Sequence, residues 1–296
     1  MTKILPAALD GAVHELPRTS SKVVVYAAGE GAPLLLIHSV NAVASAAEVR
    51  PLFDHYRGKR CVYALDLPGY GLSAREDRAY TVRVMTDALV KAAQWIQAKH
   101  GGAAVDAIAV SLSSEFLARA SVENPTLFRS LTLVSPTGFH GGKTLREDPG
   151  ETLYMPLLDK VLRGPGWGGF LFKQLTRPGV IRYFLERTWG GKAIDEKLWA
   201  YNIISARQPN AEFAPLAFLS GILFSADIQD VYQQVALPTL VIHGTKGDFT
   251  NYKMLNIVSG KPNWQVQVLE TGAMPYFEVP RAYFAIQDGF LLGGAA

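Results

Sequence analysis

Residues 106–116 read DAIAVSLSSEF. An apolar run ends abruptly in Ser111, small hydroxylated residues come next, and a helix-like pattern then begins. A strand that turns sharply into a helix needs small residues at the corner, because a larger side chain collides with the helix packing back on the strand. Ser111 is therefore either a nucleophile at such a corner or only a small residue there. The local stretch does not decide between the two; the rest of the chain must supply or withhold a base, an acid and an anion-stabilising loop.

Working outward, the same kind of run recurs: VVVYAAG, PLLLIH, CVYALDL, VDAIAVS, SLTLVS, LPTLVIHG and WQVQVLE. Short, β-branched, nearly continuous apolar runs are the signature of strands buried on both faces of a mostly parallel sheet. Helical patterns lie between them. Residues 81–99 repeat apolar positions at spacings of three and four, with Thr81 as N-cap and Gly101 and Gly102 just past the end. Strands alternating with helices imply an α/β fold. The alternation breaks over residues 139–235, which carry helix-like patterns and many aromatics, among them Trp167, Phe170, Tyr183, Phe184, Trp189 and Trp199. This stretch is expected to be an inserted helical cap over a core domain split into residues 1–138 and 236–296.

The totals narrow the function classes. With 296 residues, 49% hydrophobic and 19% charged, the chain can bury a large core. A balance of 29 basic and 26 acidic residues, with no block of like charge, argues against nucleic acid or a polybasic membrane contact. No apolar run approaches the roughly 20 residues of a membrane span. The single cysteine, Cys61, sits inside an apolar run, so a reducing, cytoplasmic setting is expected. No H-E-x-x-H, C-x-x-C or EF-hand pattern occurs, and no dinucleotide fingerprint, so no metal or cofactor is expected.

Over residues 21–138 and 236–292 the chain resembles the α/β-hydrolase superfamily. Its nucleophile elbow, G-x-S-x-G, is matched by Ala109-Val110-Ser111-Leu112-Ser113, which keeps the serine and replaces both glycines with small residues. PLLLIHSVN places His38 and Ser39 at the family's oxyanion loop, and DLPGYGLS, Asp66 to Ser73, reads like its D-x-P-G-x-G-x-S turn. The resemblance implies that the amides of Val40 and Leu112 form an oxyanion hole, with Asn41 as an added side-chain donor and His38 as a prop for the loop. Such donors stabilise the charge of a tetrahedral intermediate, at on the order of a hundredfold in rate or more for one donor.

The acid and base fit less well. Asp248, four residues beyond Gly244, stands where the family places the carboxylate that orients its histidine, and it reads equally as a surface-loop aspartate. The segment that in the family often reads G-H-x-P-x-x-E-x-P is here GAMPYFEVP, residues 272–280, with Ala273 in the place of the histidine. A serine hydroxyl is a weak nucleophile unless a neighbouring base takes its proton. His140, where the sheet exits into the cap, is the candidate substitute base, with His38 as a second by proximity. Glu115, Tyr276 and the remaining histidines, His14, His55, His100 and His243, are weaker candidates. A serine at the elbow excludes the carboxylate-nucleophile chemistry of haloalkane dehalogenases and epoxide hydrolases. Three readings stay open: a divergent serine hydrolase of an apolar ester-like or related carbonyl substrate; a lyase, isomerase or cyclase using the same pocket; and a non-catalytic binding protein.

Overall fold

The structure, a computed structural model, describes residues 4–17, 19–141, 144–164 and 167–293. Its strands are β1 (Ala12–Glu15), β2 (Val24–Ala28), β3 (Pro33–Ile37), β4 (Cys61–Asp66), β5 (Val105–Val110), β6 (Phe128–Val134), β7 (Thr239–Gly244) and β8 (Trp264–Leu269). They form one sheet in the order β1-β2-β4-β3-β5-β6-β7-β8, antiparallel at β1–β2 and β2–β4 and parallel thereafter. All seven apolar runs are strands. β1 is an addition that the sequence pattern did not signal, because an edge strand with exposed side chains carries no apolar run.

Helices α1 (Arg50–Tyr56), α2 (Val82–Lys99) and α3 (Ser113–Glu123) come after β3, β4 and β5 in chain order. Among the described residues six more lie between β6 and β7: α4 (Pro156–Leu162), α5 (Trp167–Leu175), α6 (Pro178–Trp189), α7 (Glu196–Ser205), α8 (Phe213–Leu219) and α9 (Ile228–Gln234). The C-terminal part adds α10 (Asn256–Ser259), α11 (Pro275–Glu278) and α12 (Pro280–Gly293). Thr81 caps α2 as expected, its hydroxyl accepting from Val84 N at 3.3 Å. Among the described residues no helix is long and apolar enough to cross a membrane.

Period-two alternation divides the strand side chains between two cores. Leu35, Ile37, Leu65, Ala109 and Val241 face a layer with α2, α3 and α9. Leu34, Leu36, Ala64, Val110 and Ile242 face the opposite layer, with α1, α11 and α12. Although α9 falls within residues 139–235, it packs on α3 and is joined to it by an Arg119–Asp227 ion pair, so it covers the sheet.

The DLPGYGLS turn fixes the edge of the future site. Asp66 is fully buried, and its carboxylate accepts Ala46 N and Leu72 N, both at 2.8 Å, and the Tyr26 hydroxyl at 3.1 Å. Ser73 Oγ donates to the Asp66 carbonyl at 2.6 Å and accepts Val24 N at 2.9 Å. Gly71 has φ +52°, and a Cβ there would lie 2.0 Å from the Asp66 carboxyl carbon. Gly71→Ala is therefore expected to cost about 2 kcal/mol or more, from left-handed strain plus the clash. Chemical denaturation checks this, and a stability equal to that of the parent would contradict the assignment.

Candidate active site

The corner after β5 is built as its sequence demands. Ser111 has φ +54°, a conformation that a non-glycine residue adopts only under constraint, and its N–H stays in the sheet ladder by donating to Val134 O at 2.8 Å. Ala109, in the first glycine's place, puts its methyl into the sheet core. Ser113, in the second's, is fully buried and donates its hydroxyl to the His38 carbonyl at 2.5 Å. The substitution thus replaces a bare backbone with a bond from the elbow to the opposite loop.

That loop is braced from both sides. His38 is buried; Nδ1 lies 2.5 Å from the Ser39 carbonyl and Nε2 accepts Leu67 N at 3.1 Å. Burial lowers its pKa to about 4, against the opposing effect of the Ser39 bond, so the ring is neutral. With one nitrogen donating and the other accepting, His38 props the loop and has no free site for a proton. Glu48 Oε2 accepts Ser39 N at 2.9 Å. Asn41 Nδ2 donates to Ser39 Oγ at 2.9 Å and to Glu48 Oε1 at 2.7 Å, while its Oδ1 accepts Val43 N at 2.8 Å. Both amide hydrogens of Asn41 are therefore used, and it braces the loop instead of serving as the expected side-chain anion donor.

A cavity of about 350 Å³ opens on this corner. Ser111, Leu112, Ser39, Val40 and Asn41 line one side, and Leu175, Ile181, Phe184, Leu185, Phe218 and Leu219 line another. Among the described residues neither Val40 N nor Leu112 N donates to a protein acceptor. Leu112 N also stands at the start of α3, where the helix dipole favours an anion.

The expected acid and base are not in this cavity. Asp248 pairs through both carboxylate oxygens with Arg187 near the end of α6, at 2.7 Å from Nη2 to Oδ1. His140 and Asp248 line an adjoining cavity of about 240 Å³, which shares Thr137, Phe224 and Phe249 with the first. Ala273 does line the Ser111 cavity, but its N–H donates to Thr188 O at 2.8 Å, so the end of α6 lies directly against this residue. Tyr276 is buried and its hydroxyl has no partner; burial pushes its pKa well above the ordinary value, so the phenol takes no proton near neutrality. His243 is stacked on Tyr252, with ring centroids 3.9 Å apart. His14 packs on Trp95, His55 on Phe284 and His100 on Tyr63, all outside both cavities.

A family model described as alpha/beta hydrolase fold matches residues 32–280. The chain belongs to the α/β hydrolase fold family. Among solved structures it is similar to a serine hydrolase involved in carbazole degradation, at 16% identity over 95% of this chain and 98% of that one, with a TM-score of 0.71. It is also similar to a meta-cleavage product hydrolase from Pseudomonas fluorescens, at 16% identity over 96% and 98%, with a TM-score of 0.71. A bromoperoxidase from Bacillus anthracis aligns at 16% identity over 95% and 99%, with a TM-score of 0.70. At these identities the likeness is one of fold. A search of curated proteins found no sequence match.

Within that fold, three residues near the site carry no clear mark in the sequence: Glu48, Asn202 and Arg187. Glu48, inside SAAEV, is the only ionisable side chain among the described residues lining the Ser111 cavity. An acid isolated between small apolar residues is the one available signal. Glu115, a weaker candidate for the base, is buried and bonds Thr137 Oγ1 and Ser225 N, so it ties α3 to the segment returning from the helical insertion. Burial raises its carboxyl to about 7, against those bonds, which favour the anion. The folded chain holds this proton up to about 7, whereas an unfolded glutamate releases it near the ordinary 4.5. The stability contributed is thus complete below the lower value and lost as pH rises through the upper one. Glu115→Gln, which cannot ionise, should gain melting temperature relative to the parent between about pH 5 and about pH 8. Parallel melting curves across that range would contradict the assignment.

Proposed function

We propose that this chain is an enzyme acting on an apolar ester-like or related carbonyl compound held in the Ser111 cavity beneath a helical lid formed by the insertion between β6 and β7. The observation that carries the reading is the pairing of Ser111, held at φ +54°, with two cavity-lining residues whose amides have no protein acceptor among the described residues. In this reading the substrate carbonyl oxygen accepts from Val40 N and Leu112 N, and the Ser111 hydroxyl attacks the carbonyl carbon. The proton passes to water or to Glu48 rather than to an imidazole. Acyl transfer without histidine in a serine site loses several powers of ten in rate, so hydrolysis is expected to be slow.

A second reading is favoured by the capture of Asp248 by Arg187 and the lack of an imidazole at Ser111. The same pocket would then steady an enolate-like intermediate in a lyase, isomerase or cyclase reaction, or hold a ligand without converting it. Neither use requires an acyl-enzyme.

A panel of short- and medium-acyl p-nitrophenyl esters, with a fluorophosphonate probe, separates these readings. Slow turnover and labelling, both lost in Ser111→Ala and unchanged in His140→Ala, are expected for the first. No turnover and no labelling would refute it. Ala273→His alone lacks an orienting acid while Arg187 holds Asp248; adding Arg187→Leu should raise esterase activity on the order of tenfold or more over the single variant. Equal rates in the two variants would show that Asp248 cannot serve Ser111.

A further inference from the structure

Among the described residues only Ser111, Ser135 and Asn210 combine a side chain with a positive φ. Ser135, directly after β6, has φ +48°, and its N–H donates to Ile242 O at 2.8 Å, just as Ser111 N–H donates to Val134 O. Val110 and Val134 are register partners in the parallel β5–β6 pair, so the Ser111 bond carries the register one step further and sets Ser135 beside Ser111. Neighbouring strands lie about 4.8 Å apart, which sets the scale of the separation between the two serines. Ser111 lines the apolar cavity, whereas Ser135 lines the adjoining one of about 240 Å³. Thr137, Phe224 and Phe249 line both. The wall around Ser135 is hydroxylated: Glu115 accepts Thr137 Oγ1 on one oxygen and Ser225 N on the other, which gathers the segment after β6 and the segment before α9 around one carboxyl group. The hydroxyls of Ser135 and Ser225 are buried. Each has a polar neighbour, Tyr252 for the first and Glu115 for the second, yet neither makes a bond in hydrogen-bonding geometry. A buried hydroxyl left unpaired costs free energy, and native proteins carry few.

We propose that the Ser135 cavity is a subsite for the alcohol half of an ester whose acyl half fills the Ser111 cavity, and that it selects alcohols carrying a free hydroxyl. The inference rests on the reading above, that Ser111 acts on an ester-like carbonyl compound, and narrows the alcohol half of that substrate. With the carbonyl carbon at Ser111, an alcohol chain of two or three carbons covers about one strand spacing and brings its hydroxyl to Ser135 Oγ. A hydroxyl both donates and accepts, so it pairs with the Ser135 hydroxyl whichever way the latter turns. Ser225 and Tyr252, on the same cavity, offer the same to a second hydroxyl. Charged groups fit less well. An anion would face the carboxyl groups of Glu115 and Asp248, and a cation would find both already engaged, Glu115 by Thr137 and Ser225 and Asp248 by Arg187. His140, the other ionisable side chain near this wall, is exposed.

Calorimetric titration of the Ser111→Ala chain, which forms no acyl-enzyme, with the 2-hydroxyethyl and n-propyl esters of the same medium-chain acids reads the subsite without requiring turnover. The hydroxyethyl ester should bind about three- to tenfold tighter than its propyl partner. Adding Ser135→Ala should abolish that preference while leaving the propyl ester bound as before. Equal affinities in the Ser111→Ala chain at every acyl length, a comparison that needs no change at Ser135, would overturn the subsite while leaving the cavity reading intact. A preference that survives Ser135→Ala would overturn the assignment to Ser135. A 2-dimethylaminoethyl ester bound more tightly than the hydroxyethyl ester, with that advantage lost on adding Asp248→Asn, would overturn it in favour of a cation site. Binding of no ester at all would overturn the cavity reading on which the proposal rests.

Discussion

One hydrogen bond joins the two halves of the site: the Ser113 hydroxyl to the His38 carbonyl. The elbow at the end of β5 and the loop at the end of β3 come from adjacent parallel strands, but adjacency of strands does not fix the spacing of the turns at their ends. Ser113 fixes that spacing from the elbow side, and the neutral ring of His38, spanning Ser39 and Leu67, fixes it from the loop side. Glu48 then holds Ser39 N and the Asn41 side chain, while among the described residues Val40 N donates to no protein acceptor. A serine where the family has glycine is therefore a structural gain, because its side chain does what a bare backbone cannot.

Two polar contacts hold the end of α6. Arg187 takes the Asp248 carboxylate, and the Thr188 carbonyl takes the Ala273 N–H. Both interactions fasten the end of α6 to loops after β7 and β8. Among the described residues Val40 N and Leu112 N donate to no protein acceptor, whereas the Asp248 carboxylate is paired with Arg187.

The sheet was legible because its seven strands from β2 to β8 carry apolar runs, nearly continuous in the buried interior strands, and the DLPGYGLS turn because Asp66 and Ser73 make its side-chain bonds and Gly71 leaves room for the Asp66 carboxylate. β1 escaped notice because an exposed edge strand needs no apolar run. The sharp corner after β5 was readable from Ser111 and its small neighbours. Asn41 was misread as an anion donor, since only the fold shows that Glu48 and Ser39 occupy both its amide hydrogens. Arg187 was invisible for a related reason: it acts on Asp248, far away in sequence, and nothing local in α6 marks it.

The central claim is that the amides of Val40 and Leu112 form a working anion hole above Ser111. A crystal structure of the Ser111→Ala chain with an apolar methyl ketone tests it most directly. The ketone oxygen should lie about 3 Å from both nitrogens, with the alkyl chain running between α5, α6 and α8. A ketone bound elsewhere, or one whose oxygen turns away from those amides, would contradict the claim.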